Sequence, residues 1–208
     1  MADIRGVIFD LGGVVIDWNP MYLYRKVFAG DEAKAADFLA HICPYDWNVK
    51  QDAGRSLAAA TEEQVALFPE WETEIRAYYG RWIEMIGGLV PGTSDIIREL
   101  KALGIRVFAL SNWSRETFSR IIHTCDVLAL FEDIVLSADY GCIKPEERIY
   151  RIALERFGMP VEALLFVDDS LPNVRGAEAV GLRALTFTTA EQLRRDLAAL
   201  GIPLKLHA

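Results

Sequence analysis

Five short apolar runs recur along the chain, and stretches whose apolar residues have helical spacing separate them. The runs cover residues 6–9, 106–110, 134–136, 164–167 and 184–187. Strands that alternate with helices of this length are typical of βαβ units, which build a parallel sheet with helices on both faces. The sequence therefore predicts an α/β fold with a doubly wound, Rossmann-like parallel sheet.

The intervening helical patterns cover residues 92–103, 115–124, 146–157 and 173–180. Gly104, Gly158 and Gly181 lie between a helical stretch and the next apolar run. Because glycine adopts the left-handed conformation at little cost, it commonly ends a helix at this position. These glycines support the predicted order of helices and strands.

Residues 17–87 break the alternation, because apolar residues there keep helical spacing and no convincing strand is present. We predict a helical cap domain over 17–87, inserted into an α/β core domain formed by residues 1–16 and 88–208. Aromatic residues are dense in this segment, and we expect most of them to fill its small core. Gly87 and Gly88 are expected to form a flexible return to the sheet. An insertion this soon after the first strand is expected to cover the ligand crevice as a lid.

Composition excludes several functional classes. The formal net charge of −8 argues against nucleic-acid partners and anionic membrane surfaces, since both require a basic surface. No run of eighteen apolar residues or signal-peptide core is present, so we expect a cytoplasmic protein without a membrane partner. The cysteines are odd in number and lack metal-site spacing, so reduced packing thiols are expected at Cys43, Cys125 and Cys142.

Carboxylates directly follow two of the apolar runs. Asp10 follows the first run, and Asp168 with Asp169 follows the fourth. Ligands of open α/β sheets bind at the carboxyl ends of the strands, so the three acids are expected to converge there. Their mutual repulsion requires a counter-ion, and a hard divalent cation such as Mg²⁺ prefers oxygen ligands.

Three further polar motifs occupy comparable positions. Gly12 and Gly13 follow Asp10 and would let backbone N–H groups approach an anion, although such a pair also forms simple turns. The Ser111-Asn112 pair ends the second run and can donate hydrogen bonds to phosphate oxygens or cap a helix. Lys144 precedes Pro145, which we expect at the first position of a helix, and it could bind a phosphate or remain a surface charge.

The ordered set of Asp10, Ser111, Lys144 and the Asp168-Asp169 pair resembles the four motifs of the haloacid dehalogenase superfamily, over nearly the whole chain. The segment 17–87 resembles the helical type of cap in that family. The resemblance implies that Asp10 is the nucleophile and that Lys144 keeps it ionised. It also implies a Mg²⁺ site formed by Asp10, the backbone carbonyl of Gly12, Asp169 and Asp168. It further implies that the phosphoryl group is bound by Leu11, Gly12, Ser111, Asn112 and Lys144.

One position departs from the phosphatases of this family, which usually carry a second aspartate two residues after the nucleophile. Gly12 stands there, and an acid–base group typically contributes about 10²–10⁴-fold to the rate. Some sugar-phosphate phosphatases that the chain resembles share this glycine. The resemblance favours a Mg²⁺-dependent phosphatase acting on a small phosphorylated metabolite through an aspartyl-phosphate. Two alternatives remain open: a metal-independent 2-haloacid dehalogenase, and a phosphometabolite-binding protein without turnover.

The predicted cap offers candidates for contact with a small anionic substrate. Basic residues that could reach it are Arg25, Lys26 and Arg55. The most polar cluster comprises Trp47, Asn48, Gln51 and Asp52. An exposed face of this aromatic-rich segment could also support a homodimer.

Overall fold

The computed structural model describes residues 4–205 and contains seven strands. In chain order these are β1 (Gly6–Phe9), β2 (Ile16–Trp18), β3 (Ile86–Leu89), β4 (Arg106–Ser111), β5 (Asp133–Leu136), β6 (Leu164–Asp168) and β7 (Arg183–Thr186). Five of them form a parallel sheet in the order β5-β4-β1-β6-β7. Strands β4 and β5 lie on one side of β1, and strands β6 and β7, which follow them in the sequence, lie on the other side. This arrangement confirms the predicted doubly wound sheet.

Ten α-helices accompany the strands. They are α1 (Met21–Val27), α2 (Glu32–His41), α3 (Tyr45–Asp52), α4 (Leu57–Leu67), α5 (Glu72–Gly80), α6 (Thr93–Ala102), α7 (Arg115–Phe118), α8 (Glu147–Phe157), α9 (Leu171–Ala179) and α10 (Ala190–Ala199). Short 3₁₀ helices occur at Pro69–Trp71, Trp82–Met85, Asp126–Leu130, Ser137–Asp139 and Val161–Ala163. Helices α1–α5 all fall within residues 17–87, which we call the helical insert.

Both faces of the sheet are buried, because successive side chains of a strand point to opposite faces. In β1, Val7 and Phe9 pack into one apolar cluster and Ile8 packs into the other. Helices α6 and α10 cover the first face, where Ile97 and Leu197 are fully buried. Helices α8 and α9 cover the second face. The apolar runs of the sequence are therefore continuous because neither face of the sheet meets water.

Two strands were missed by the sequence analysis. Strands β2 and β3 form an antiparallel ribbon at both ends of the helical insert, with Asp17 opposite Gly88. Gly87 and Gly88 therefore belong to a strand, and the prediction of a flexible return was wrong. A Cβ atom on Gly87 would lie 2.3 Å from the Asp17 Oδ2 atom, so close approach requires this glycine. Strands of three and four residues are too short to show the alternation of apolar and polar residues by which a strand is recognised in a sequence.

The remaining differences concern helix ends. The predicted helix over 115–124 ends as α7 at Phe118, and Ser119 and Thr124 then bond to backbone carbonyls three residues earlier, which competes with helix continuation. Helix α8 begins at Glu147, so Pro145 precedes the helix and does not open it. Helix α10 was not predicted. Gly158 ends α8 with a φ of 61°, as expected for a left-handed cap.

The aromatic side chains of the helical insert belong to the same apolar cluster as one face of the sheet, and polar contacts also join the insert to the sheet domain. Tyr24 packs against Phe38 with ring centroids 4.7 Å apart. The Leu57 N–H donates to Glu116 Oε1 at 3.0 Å, and the Ser137 hydroxyl donates to the Asp52 carbonyl. Cys43, Cys125 and Cys142 are free thiols. No helix within the described residues combines the length and apolar character needed to cross a lipid bilayer.

Candidate active site

The central strands deliver three of the predicted residues to one edge of the sheet. Asp10 follows β1, Ser111 ends β4 and Asp168 ends β6, and β1 lies between the other two strands. The Asp10 N–H donates to the Val167 carbonyl at 2.8 Å, which extends the ladder and fixes the position of the carboxylate. Parallel pairing therefore brings together residues that lie more than one hundred positions apart in the sequence.

Asp10 is almost fully buried, and three donors converge on its Oδ1 atom. These are the Leu11 N–H at 2.7 Å, the Ser111 hydroxyl at 2.8 Å and the Lys144 ammonium at 2.9 Å. The Leu11 amide, predicted as a phosphate donor, is therefore used by Asp10 itself. With Oδ1 held by three donors, Oδ2 is the oxygen left for chemistry.

Lys144 is 2% exposed, and its ammonium is shared between two acids. Besides Asp10, it contacts Asp168 Oδ2 at 2.6 Å and donates to the Leu110 carbonyl at 3.0 Å. An ammonium has three donor hydrogens, so these contacts use all of them. Lys144 therefore organises the acids, whereas the sequence analysis also expected it to contact a phosphoryl group.

Asn112 holds Lys144 through the backbone. Its Oδ1 accepts from the Lys144 N–H at 2.8 Å, and its Nδ2 donates to the Lys144 carbonyl at 2.9 Å. This two-way contact joins the loop after β4 to the loop after β5. Asn112 thus positions the lysine, which differs from the predicted direct contact with phosphate.

The two adjacent acids after β6 have different surroundings. Asp168 is fully buried and accepts from the Ser170 N–H at 2.8 Å and the Asn173 amide at 3.0 Å, in addition to Lys144. Asp169 is exposed, and within residues 4–205 no basic side chain forms an ion pair with it. Asp168 is therefore saturated with donors, while the Asp169 carboxylate remains open to a ligand.

Carboxylate oxygens of Asp10, Asp168 and Asp169 lie within 4.8 Å of one another. Gly13 borders this cluster with a φ of 76°, and a Cβ atom on it would lie 2.4 Å from Asp169 Oδ2. The second glycine after Asp10 is therefore required both by its backbone conformation and by the acid beside it. Gly12 meets neither constraint, because a Cβ there would have no atom within 4 Å.

Burial and mutual repulsion shift the pKa values of these groups. Burial raises the pKa of Asp10 to about 7, with Lys144 opposing and Asp168 adding to the rise. Partial burial and the neighbouring Asp168 raise the pKa of Asp169. Burial lowers the pKa of Lys144, but Asp10 and Asp168 outweigh it and the net shift is upward. Three acids against one ammonium leave this site with excess negative charge.

A cavity of about 600 Å³ separates the sheet edge from the helical insert. This volume suits a small molecule. The insert and the loop after β4 contribute aromatic walls, and Trp82 meets Trp113 with ring centroids 5.9 Å apart. The basic residues that line the cavity within the described chain are limited to Lys144.

Asn48 and Asp52 line the cavity from the insert, as part of a hydrogen-bonded chain. Gln51 Nε2 donates to the Tyr79 hydroxyl at 2.8 Å, which donates to Asn48 Oδ1 at 2.9 Å. Asn48 Nδ2 then donates to Asp52 Oδ2 at 2.9 Å. Burial raises the pKa of Asp52 to about 8, a rise that the Ser114 N–H opposes and the Asp10 charge increases. Asp52 is thus a buried acid facing the same cavity as the nucleophile candidate.

The other insert candidates lie away from the cavity. Arg25 pairs with Glu32 at 2.9 Å, Lys26 with Glu84 at 3.0 Å and Arg55 with Glu63 at 3.1 Å. Trp47 and Gln51 are buried behind the cavity wall, where Gln51 also donates to the Trp47 carbonyl at 2.7 Å. The basic residues predicted to grasp a substrate therefore pair with neighbouring acids, and none of them lines the cavity.

Several cavity residues were missed by the sequence analysis. They are Trp18, Tyr45, Asp46, Tyr79, Trp82, Trp113 and Asn173. The aromatic residues of the insert had been interpreted as core, and Tyr79 is indeed buried while also facing the cavity. Trp113 could have been found from its place beside the Ser111-Asn112 motif. Asn173 carries no local signal, because its contact with Asp168 depends on the start of α9.

Comparison with known proteins places this geometry in a family. The chain matches the haloacid dehalogenase-like hydrolase family over residues 4–181. It is 26% identical over 198 residues to an (S)-2-haloacid dehalogenase of Pseudomonas fluorescens, covering 87% of this chain and 83% of the relative. It is also 26% identical over 199 residues to a sesquiterpene phosphatase of Aspergillus oryzae, covering 88% and 90% respectively.

A solved structure of a HAD family enzyme from Bacteroides thetaiotaomicron, in complex with magnesium and inorganic phosphate, has a similar fold. Its TM-score is 0.67 at 21% identity, over 89% of this chain and 95% of that chain. The match to the family covers most of the sequence and includes all four strand-end motifs. The chain therefore belongs to the haloacid dehalogenase-like hydrolases and is an enzyme of that family.

Proposed function

We propose that the protein is a magnesium-dependent phosphatase that hydrolyses a small phosphorylated metabolite through an aspartyl-phosphate on Asp10. The observation that carries this proposal is the cluster of three carboxylates whose oxygens lie within 4.8 Å of one another beside a single buried lysine. A metal-independent reaction at Asp10 would leave this excess negative charge uncompensated. The phosphatase among the relatives is consistent with the proposal.

The donor set fits Mg²⁺, which takes hard oxygen ligands and is commonly held by one or two carboxylates. Asp10, Asp169 and the backbone carbonyl of Gly12 would hold the ion. Asp168 would support it more remotely, because donors already occupy its carboxylate. When bound, the cation supplies positive charge that offsets charge on the phosphoryl oxygens. The magnesium and phosphate bound to the Bacteroides enzyme support this assignment.

The side chains at the sheet edge prepare Asp10 for attack on phosphorus. Ser111 and Lys144 fix Oδ1, so that Oδ2 is presented in one orientation. Lys144 favours the ionised, nucleophilic form of the carboxylate. Attack replaces one difficult displacement by two easier ones, since water then hydrolyses the acyl phosphate. Fixed donors around the nucleophile supply the in-line positioning on which phosphoryl transfer depends.

A 2-haloacid dehalogenase remains the second candidate, because of Gly12 and the dehalogenase among the relatives. Halide leaves without a proton, so that reaction needs no acid at position 12. The cavity disfavours this candidate, since a haloacid carboxylate bound without a metal would add negative charge to a site that already holds three carboxylates. Along the described cavity walls, Lys144 alone is basic, and Asp10 and Asp168 already occupy it.

A metal-dependence assay tests the proposal. Purified protein is treated with EDTA and assayed with p-nitrophenyl phosphate before and after addition of Mg²⁺. We expect the chelator to abolish hydrolysis and Mg²⁺ to restore it. Excess Mg²⁺ should also stabilise the fold, by about 2.7 kcal/mol at one hundred times the dissociation constant.

Release of halide from 2-chloropropionate, measured with EDTA present, is the parallel assay for the second candidate. Halide release without phosphatase activity would replace the proposed reaction by dehalogenation. Hydrolysis that persists unchanged in EDTA would contradict the metal assignment.

A further inference from the structure

We infer that Asp52 of the helical insert is the proton donor to the leaving group, in the role that Gly12 cannot fill. This inference rests on the proposed phosphatase function. Asp52 is 9% exposed and lines the same cavity as Asp10. It is the last residue of α3 and belongs to the insert, whereas Asp10 belongs to the sheet domain.

The direction of the reaction brings the leaving group toward Asp52. Asp10 attacks phosphorus from the sheet edge, and in-line displacement expels the leaving oxygen on the far side of phosphorus. The insert supplies the second group of residues that line this cavity. An acid that serves the leaving group must therefore lie on the insert or in the loop after β1, and Gly12 carries no side chain.

The partners of Asp52 suit an acid that keeps its proton. Its contacts are the Asn48 amide, at 2.9 Å, and the Ser114 N–H, both of which are neutral. Within the described residues no lysine or arginine forms an ion pair with it, and the nearby Arg55 pairs with Glu63. Burial without a cationic partner disfavours the charged form, and the pKa of Asp52 is raised accordingly to about 8.

Contacts with the sheet domain fix the position of Asp52 relative to Asp10. The Ser114 N–H comes from the loop after β4, and the Ser137 hydroxyl donates to the Asp52 carbonyl. Ser137 also accepts from the Trp113 N–H at 3.0 Å. Asp52 is thus fixed to the loop that follows Ser111, although it belongs to the insert.

Asp52 gives up a proton in the first chemical step and accepts one in the second. As the bond from Asp10 Oδ2 to phosphorus forms, the ester P–O bond breaks and the leaving oxygen takes the Asp52 proton. Asp52, now a carboxylate, then accepts a proton from the water that attacks the acyl phosphate. The P–O bond to Asp10 breaks, which releases inorganic phosphate and regenerates both side chains.

The test compares two substrates of similar shape in the variant Asp52→Asn. Phenyl phosphate has a basic leaving group that needs a proton, whereas p-nitrophenyl phosphate has a weakly basic one. We expect kcat/KM, which reports the step that expels the leaving group and not the later hydrolysis common to both substrates, to fall by about 10²-fold or more for phenyl phosphate and to stay within about tenfold of the wild type for p-nitrophenyl phosphate. Activity on the second substrate also shows that the proposed phosphatase function itself holds.

A pH profile adds a readout that a purely structural role would not change. The titratable groups around Asp52 are Tyr45 on its own helix, Tyr78 and Tyr79 on α5, and Asp10 at the sheet edge. The pKa values of the three tyrosines are raised above their ordinary value, so these groups stay neutral near pH 8. We expect the alkaline loss of phenyl phosphatase activity to disappear in Asp52→Asn.

Gly12 offers a rescue experiment, because a Cβ atom added at this position would meet no atom within 4 Å. Adding Gly12→Asp to Asp52→Asn places an acid on the other side of the leaving group. We expect the double variant to recover most of the lost phenyl phosphatase activity. The control is Asp37→Asn, an exposed acid of α2 that does not line the cavity, which should leave the ratio of the two rates unchanged.

Three results would overturn the inference. The first is an equal loss on both substrates in Asp52→Asn, without rescue by Gly12→Asp. The second is an unchanged ratio of the two rates in that variant. The third is a wild-type enzyme that hydrolyses p-nitrophenyl phosphate but leaves phenyl phosphate intact.

Discussion

The sheet edge and the helical insert each place a buried acid on the wall of the same cavity, but the partners of these acids differ. At the sheet edge, Asp10 and Asp168 share the Lys144 ammonium at 2.9 and 2.6 Å. In the insert, Asp52 has only neutral donors around it. Lys144 opposes the rise in pKa that burial causes at Asp10, whereas no cation opposes the rise at Asp52. The difference separates a nucleophile from a proton donor.

The same contrast holds for the rest of the cavity. The sheet edge supplies charged groups on short loops that the ladder of β1, β4 and β6 holds in place. The insert supplies rings and amides, among them Tyr79 and Asn48. On the proposals made above, the sheet edge supplies the nucleophile and the metal ligands, and the insert supplies the proton donor and contacts the remainder of the substrate.

The largest expected effect comes from Asp10→Asn, which removes the nucleophile and keeps the shape of the side chain. We expect kcat to fall by on the order of 10⁴-fold or more, since loss of a covalent nucleophile is rarely compensated. The measurement is p-nitrophenyl phosphate hydrolysis, with circular dichroism to verify folding. The control Asp37→Asn alters an exposed acid of α2 and should leave activity unchanged. Substantial residual activity would mean that another residue is the nucleophile and would contradict the role assigned to the sheet edge.

The second effect concerns stability at the sheet edge. Lys144→Met leaves Asp10 and Asp168 buried without their cation, which typically costs about 3–5 kcal/mol. Urea unfolding at pH 7 measures this loss, and Mg²⁺ should restore part of it. Lys26→Met is the matched control, because Lys26 is exposed and its pair with Glu84 lies on the surface. Equal effects from both substitutions would mean that Lys144 does not carry the charge balance of the site.

The smallest effect, taken over one pH unit, is the pH dependence of stability that arises from Asp52. Its pKa is raised from 3.8 to about 8 in the folded protein, so between these values the folded state binds more proton than the unfolded state. Stability from this group therefore falls as pH rises, by about 1.4 kcal/mol per pH unit at most. We expect Asp52→Asn to flatten the stability curve between pH 5 and about 8. Parallel curves for the variant and the wild type would place Asp52 in an ordinary, solvated environment.

Much of the sheet edge could be predicted from local sequence. An apolar run followed by Asp10 or by Asp168 indicates a buried strand and its loop, and parallel strands present their carboxyl ends together. The five strands were predicted to within one or two residues for this reason. The β2–β3 ribbon was missed because its strands are short, and the Asn112–Lys144 contact was missed because it joins two loops.

The sequence by itself determined the sheet, the order of its motifs and the acids that converge at its edge, because those features follow from the local alternation of apolar and polar residues. Only the tertiary structure decided which insert residues face the cavity. It paired Arg25 and Arg55 with neighbouring acids and brought Asp52 to the cavity that Asp10 also lines. Helical spacing gives the faces of a helix, but packing against the sheet domain decides which face meets the site.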